Sequence, residues 1–109
     1  MSWLLRDGEV LASLEVADST RGRMRGLLGR DGLDGALLIE KAFQVHTFGM
    51  RFPIDVAFLD RQRRVVTVVC DMRPWRITLP RFGSKAVVEA EAGSFERWQL
   101  RVGDELEIR

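Results

Sequence analysis

The chain has 109 residues, of which 46% are hydrophobic and 30% are charged, and this length predicts a single domain over residues 1–109. Its 17 basic and 16 acidic side chains leave a formal charge of +1, so the broad cationic field of a dedicated nucleic-acid-binding protein is not expected. No apolar run reaches the roughly 20 residues that span a bilayer, and the single cysteine, Cys70, excludes an internal disulfide and a multi-thiolate metal site. Because the first residues also lack the pattern of a signal peptide, we expect a cytoplasmic protein.

The N-terminal region predicts a hairpin followed by a helix. Trp3–Leu5 is separated by Asp7-Gly8, a pair that favours a tight turn, from a second strand that begins at Val10. Short polar residues at 18 and 19 are suitable helix caps, and the apolar spacing predicts a helix over residues 18–28.

The rest of the chain is patterned mainly as short strands. The segments Ile54–Asp60 and Val65–Cys70 are apolar on both faces, which predicts central strands covered on both sides. A second short helix is expected from Ser94, and further strands are expected at 86–92 and 105–108. The short apolar run 37–39 is compatible with either a strand or a helix. These elements predict an α+β domain with a curved, mostly antiparallel sheet, or a partly closed barrel, and one or two short helices.

The segment 45–60 contains the greatest concentration of chemically informative residues. His46 is the only histidine of the chain, and Gly49 and Pro53 indicate irregular backbone after it. Asp55 lies in a strand between two apolar residues, so its carboxylate is expected to be buried. A buried carboxylate must be paired or hydrogen-bonded.

This segment resembles the DUF192 family of bacterial and archaeal proteins, which has no established activity. The resemblance rests on His46, Gly49-Met50, Phe52-Pro53-Ile54-Asp55 and Leu59-Asp60, and it extends to residues 23–29, Val88-Glu89, Ala92-Gly93 and Val102-Gly103-Asp104. It implies a small domain with a barrel-like sheet and short helices. We therefore expect a bacterial protein, and no cofactor is expected.

Each titratable candidate has a structural and a functional interpretation. His46 is suited to proton transfer, but a lone histidine beside an apolar strand is more often a hydrogen-bonded structural residue. Asp55 and Glu89 are candidate general bases. Alternatively, Asp55 anchors the loop of residues 46–53 through backbone amides, while Glu89 faces solvent.

Cys70 and His46 are a candidate nucleophilic dyad, although a strand cysteine is usually a small buried hydrophobe. One histidine without a thiolate partner makes a poor metal site, so no metal is expected.

Three functions remain open from the sequence. The first is a non-catalytic binding module for a small anionic ligand or a peptide, with a groove formed by residues 45–55 and 71–82. The groove would be lined by His46, Thr47, Met50, Arg51, Asp55, Trp75 and Arg76. The second is a small hydrolase-like enzyme in which His46 and Asp55 form an acid–base pair. The third is an accessory protein of a larger assembly, which predicts an exposed apolar patch in place of a pocket.

Overall fold

A computed structural model describes residues 2–17 and 30–109. The predicted helix over residues 18–28 therefore lies outside the described residues. The predicted N-terminal hairpin is confirmed, because Asp7 and Gly8 form its turn with positive φ angles of 53° and 80°. Positive φ at both central residues matches the right-handed twist of the two strands that such a turn joins.

Seven strands form one sheet, and a single short helix is found among the described residues. In chain order the elements are β1 (Ser2–Arg6), β2 (Glu9–Ala17), β3 (Ala36–Glu40), β4 (Ile54–Leu59), β5 (Val65–Met72), β6 (Ala86–Glu91), α1 (Ser94–Trp98) and β7 (Glu107–Ile108). The spatial order of the strands is β5-β4-β6-β3-β2-β1-β7. All neighbouring strands are antiparallel except β2 and β3, which are parallel.

Apolar residues cover both faces of the central strands. Every residue of β4 is buried, as its two-sided apolar pattern predicts. On one face, Phe95 of α1 lies in an apolar cluster that also contains Ala57 and Leu59. On the other face, the loop residues Met50 and Phe52 lie in a second cluster that also contains residues of β3, β4 and β6. The sheet therefore separates two apolar cores.

Two predictions about the sheet are not confirmed. β5 is an edge strand, and Val66 and Cys70 are exposed, so the prediction that β5 is covered on both faces is wrong. The sequences of β4 and β5 are both apolar on two faces, but of the two only β4 has a neighbouring strand on each side. The mostly antiparallel sheet and the helix at Ser94 are confirmed, whereas the sheet is not closed and a barrel is not confirmed.

No helix among residues 2–17 and 30–109 is long and apolar enough to cross a membrane.

Candidate functional site

Two loops that the sequence analysis places together do meet, as an irregular antiparallel ribbon. Residues 43–48 run beside residues 75–82, and we refer to the two segments as the aromatic ribbon. Backbone hydrogen bonds join them from the Thr47 amide to the Arg76 carbonyl (2.8 Å) and from the Thr78 amide to the Val45 carbonyl (2.9 Å). A further bond joins the Arg81 amide to the Phe43 carbonyl (2.7 Å). The ribbon is thus a fixed structure rather than two independent loops.

Thr47 holds the ribbon together from beneath. Its hydroxyl donates a hydrogen bond to the Arg73 carbonyl (2.6 Å) and accepts one from the Arg76 amide (2.9 Å). Its carbonyl accepts the Trp75 amide at 3.0 Å, and the residue is fully buried. Met50 is also buried, in the core of the second face. The expectation that Thr47 and Met50 line an open groove is therefore corrected: both lie under the surface.

The outer side of the ribbon carries a row of three stacked rings. The His46 and Phe48 ring centroids are 5.0 Å apart, and those of Phe48 and Trp75 are 6.2 Å apart. Trp75 is 66% exposed, and its backbone has a positive φ of 63°. His46 is exposed as well, and its Nδ1 accepts a hydrogen bond from the Phe48 amide (3.2 Å).

The two predicted arginines occupy different positions. Arg76 is exposed in the ribbon, and its guanidinium donates to the carbonyl of Trp75 (3.3 Å). Arg51 instead pairs with Asp31 at 3.0 Å, and both side chains are largely exposed. Arg76 therefore lies next to the stacked rings. Arg51 instead forms its ion pair with the loop before β3.

The aromatic ribbon contains several exposed apolar residues that the sequence analysis did not select. Among the described residues, six of the eleven exposed large hydrophobic side chains lie on it. Besides Trp75 they are Phe43, Phe48, Ile77, Leu79 and Phe82. A usable signal was present in residues 73–82, where apolar residues are interspersed with arginine, threonine and two prolines without a continuous core pattern. Alternation about the pairing of His46 with Ile77 explains the exposure of Phe48, Trp75, Ile77 and Leu79, because Thr47 and Thr78 point inward.

The charged residues of the ribbon and of the segments that flank it in sequence are all basic. Residues 41–50 and 73–88 contain no aspartate or glutamate, although the whole chain is nearly neutral. They contain five basic side chains, Lys41, Arg73, Arg76, Arg81 and Lys85. A local excess of one sign favours ligands of the opposite sign.

Asp55 is a structural anchor, and it does not pair with His46. Its Oδ1 accepts the Asp71 amide (2.9 Å), and its Oδ2 accepts the amides of Gly93 and Phe95 (both 3.0 Å). Residues 70 and 71 form a bulge opposite Asp55, which turns the Asp71 amide toward the carboxylate. The predicted acid–base pair of His46 and Asp55 is therefore wrong. Asp55 does accept backbone amides, as the alternative interpretation expects, but these amides belong to β5 and the start of α1 and not to the 46–53 loop.

Glu89 is buried, which corrects the expectation that it faces solvent. It lies in the centre of β6, where Leu37 and Val56 are its cross-strand neighbours, and it is 5% exposed. Burial disfavours the charged form and raises the pKa of this carboxyl to about 7. Because side chains alternate between the two faces of a strand, Glu89 was expected on a solvent-facing side of β6. The centre of this sheet is instead covered on both faces.

Cys70 is exposed, so its expected role as a small buried hydrophobe is also corrected. Desolvation of the thiol raises its pKa, and the carboxylates of Asp55, Glu96 and Asp71 raise it further. A raised pKa leaves little thiolate near neutral pH, which disfavours a nucleophilic role.

Within residues 2–17 and 30–109, no group of three or more His, Cys, Asp or Glu side chains is placed to hold a metal ion.

Comparisons with known proteins identify the family. The profile of DUF192, described as an uncharacterized ACR, matches residues 3–108. The UPF0127 protein of Pyrococcus furiosus is 40% identical over 104 residues, which cover 91% of this chain and 89% of that protein. A UPF0127 protein of Thermococcus sibiricus is 32% identical over 100 residues, which cover 86% of this chain but only 64% of the relative. Both relatives are archaeal, so a bacterial origin is not supported.

A solved structure shares the fold. The crystal structure of a protein of unknown function from Novosphingobium aromaticivorans superposes with a TM-score of 0.83 at 22% identity, and the match covers 97% of this chain and 82% of that one. This similarity concerns the fold alone.

Proposed function

This chain belongs to the DUF192 family, and we propose that it is a non-catalytic binding module whose aromatic ribbon docks onto an acidic segment of a partner protein. The proposal combines two of the functions that the sequence leaves open, peptide binding and a role in a larger assembly. The observation that carries it is the concentration of exposed apolar side chains on one ribbon.

Exposed apolar residues are normally scattered singly over a monomer. On the aromatic ribbon, Trp75, Ile77, Leu79 and Phe82 are between 58% and 78% exposed within a span of eight residues. Contiguous exposed apolar surface of this kind is typical of protein interaction sites. Tryptophan is also the residue type that most often dominates the binding energy of an interface.

The backbone at Trp75 adds a second argument. A left-handed conformation disfavours any residue with a Cβ, by roughly 1–2 kcal/mol, so glycine or asparagine would be the stable choice at φ 63°. The hydrogen bond from the Trp75 amide to Thr47 keeps the residue there, with its indole in solvent. Backbone conformations of this kind persist where the surrounding structure holds them, and they are concentrated at functional sites.

The sign of the local charge defines the partner. Arg76 and Arg81 lie among the apolar residues of the second segment, and Arg73 lies two residues before it. A partner segment with aspartate or glutamate between apolar residues would pair with the guanidinium groups while its apolar residues cover Trp75 and Ile77. We therefore expect an acidic, amphipathic peptide segment as the ligand.

The test is a selection of displayed twelve-residue peptides on the folded chain. We expect enrichment of sequences that combine acidic with aromatic or aliphatic residues. The binding of the selected peptides, measured by calorimetry, should weaken at least tenfold in Trp75→Asn, because the loss of a dominant tryptophan costs about 2 kcal/mol or more. Asparagine tolerates the left-handed backbone, so this variant should fold.

Val102→Asn provides the matched control, since it removes an exposed apolar side chain from a turn outside the ribbon. It should leave peptide affinity unchanged. Selected peptides that bind Trp75→Asn and the parent chain equally well would contradict the proposal. Tighter binding to anionic lipid vesicles or to duplex DNA than to any selected peptide would also contradict it.

A further inference from the structure

A cavity of about 510 Å³ lies where β3, the β4–β5 turn and the start of β6 meet. Its lining includes Lys41, Phe43, Arg61, Phe82 and Lys85. We refer to it as the lysine cavity, because Lys41 and Lys85 are the two lysines of the whole chain, in which the other fifteen basic residues are arginine. Its volume falls within the range of about 300–1,000 Å³ that is typical of small-molecule sites.

The lining of the lysine cavity carries a surplus of positive charge. Glu40 and Arg63 neutralise each other in an ion pair of 2.6 Å. Asp60 uses Oδ1 to accept the amides of Gln62 and Arg64, which shapes the β4–β5 turn. Lys41, Lys85 and Arg61 then face one remaining carboxylate, so the lining has a net charge of about +2.

An apolar wall lies beside these cations. The rings of Phe43 and Phe82 stack with centroids 5.4 Å apart and an interplanar angle of 28°. Phe43 is 43% exposed and Phe82 is 78% exposed, so neither ring is consumed by the core. A flat apolar group in the cavity would find a face to stack on while its anionic end reaches the lysines.

The backbone around the lysine cavity is already fixed. The Lys41 amide donates to the Lys85 carbonyl (2.8 Å), and the Lys85 amide donates to the Leu59 carbonyl (2.7 Å). The buried Ser84 hydroxyl shares its one proton between the carbonyls of Ala42 (2.9 Å) and Ala86 (3.0 Å). Lys41 also has a left-handed φ of 58°, a strained position for a lysine. The backbone therefore needs little reordering when a ligand binds, which favours a built site.

We infer that the lysine cavity binds a small aromatic anion, with a phosphate or carboxylate between Lys41 and Lys85 and its ring against Phe82. This site shares Phe43 and Phe82 with the aromatic ribbon, but Trp75, on which the test of the docking proposal relies, does not line it. The lysines supply charge and the phenylalanines supply stacking, so both halves of the ligand are required.

The scarcity of lysine makes the test direct. Reductive methylation with ¹³C-formaldehyde labels Lys41, Lys85 and the chain's amino terminus, and it leaves the lysine charge intact. Lys85→Gln identifies one lysine signal by its loss. The labelled chain is titrated with phenyl phosphate, benzoate, inorganic phosphate and benzyl alcohol, and the lysine shifts report binding in the cavity.

We expect phenyl phosphate or benzoate to shift both lysine signals and to bind at least fivefold more tightly than inorganic phosphate or benzyl alcohol. The tighter of the two aromatic anions identifies the preferred anionic group. Binding measured by calorimetry should weaken about fivefold in Lys85→Gln, the effect of losing one exposed ion pair, and also in Phe82→Ala. Arg101→Gln, which removes an exposed positive charge away from the cavity, should leave binding unchanged.

Three results would overturn the inference. The first is the absence of a lysine shift with either aromatic anion. The second is equal binding of inorganic phosphate and phenyl phosphate, which would indicate a counterion only. The third is a Phe82→Ala variant that binds like the parent. Trp75→Asn is expected to keep full binding in the cavity, so a failure of the docking proposal is distinguishable from a failure here.

Discussion

Replacement of Glu89 by glutamine tests the energetics of the central sheet. The carboxyl is 5% exposed between Leu37 and Val56, and its burial raises its pKa from 4.5 to about 7. The folded state therefore holds the proton more tightly than the unfolded chain does. The contribution of protonated Glu89 to the free energy of unfolding is fully present below about pH 4.5, and it is lost as the pH rises through about 7.

The size of the effect follows from the shift. Each pKa unit corresponds to about 1.4 kcal/mol, so ionisation of Glu89 should cost the folded state about 3 kcal/mol at pH 8. Glu89→Gln keeps the shape of the side chain and removes the charge. Its free energy of unfolding, relative to the parent chain, should rise by about 3 kcal/mol between pH 4.5 and pH 8.

Urea denaturation of both proteins at pH 4.5, 5.5, 6.5, 7.5 and 8 measures this difference. Contributions from other titrating groups cancel, because both proteins share them. Glu91→Gln is the control for loss of a carboxylate from the same strand, since Glu91 is exposed. Stability curves of the parent and Glu89→Gln that run parallel across the range would refute the reasoning, since they would show that the folded and unfolded states bind this proton equally.

Two further predictions concern fixed backbone positions, and each has a matched control. Asp55→Asn should destabilise the fold by about 2 kcal/mol or more in urea denaturation, because Asp55 uses both carboxylate oxygens to accept three amides and asparagine keeps one acceptor. Asp60→Asn should cost well under about 1 kcal/mol, since Asp60 accepts both of its amides with Oδ1 alone, and equal losses in the two variants would contradict this account. Gly35→Ala should cost about 3 kcal/mol, because φ is 89° and the added Cβ would lie 2.7 Å from the Ser13 carbonyl oxygen. Gly8→Ala shares the positive φ but meets no atom within 4 Å, so its loss in thermal melting should be about 1 kcal/mol, and a Gly35→Ala variant no less stable than Gly8→Ala would disprove the close contact.

The aromatic ribbon illustrates why a site inferred from sequence neighbourhood was only partly right. The segment 45–55 and the segment 71–82 meet, but alternation along the ribbon sends Thr47 inward and His46 outward. Asp55 lies a short distance further along the chain, yet it is on a central strand whose neighbours supply three amides. Closeness along the chain therefore did not predict closeness at the surface.

Local sequence patterns were enough to predict a turn, a buried strand and a helix in this chain. Asp7-Gly8 carries the positive φ angles of its hairpin turn, the apolar run 54–59 forms a buried strand, and residues from Ser94 form a helix. Only tertiary structure decided that β5 is an edge, that Glu89 is covered, and that Lys41 meets Lys85 from 44 positions away. The physical reason is that period and turn chemistry depend on neighbouring residues, whereas burial and charge environment depend on which distant strands and loops pack together.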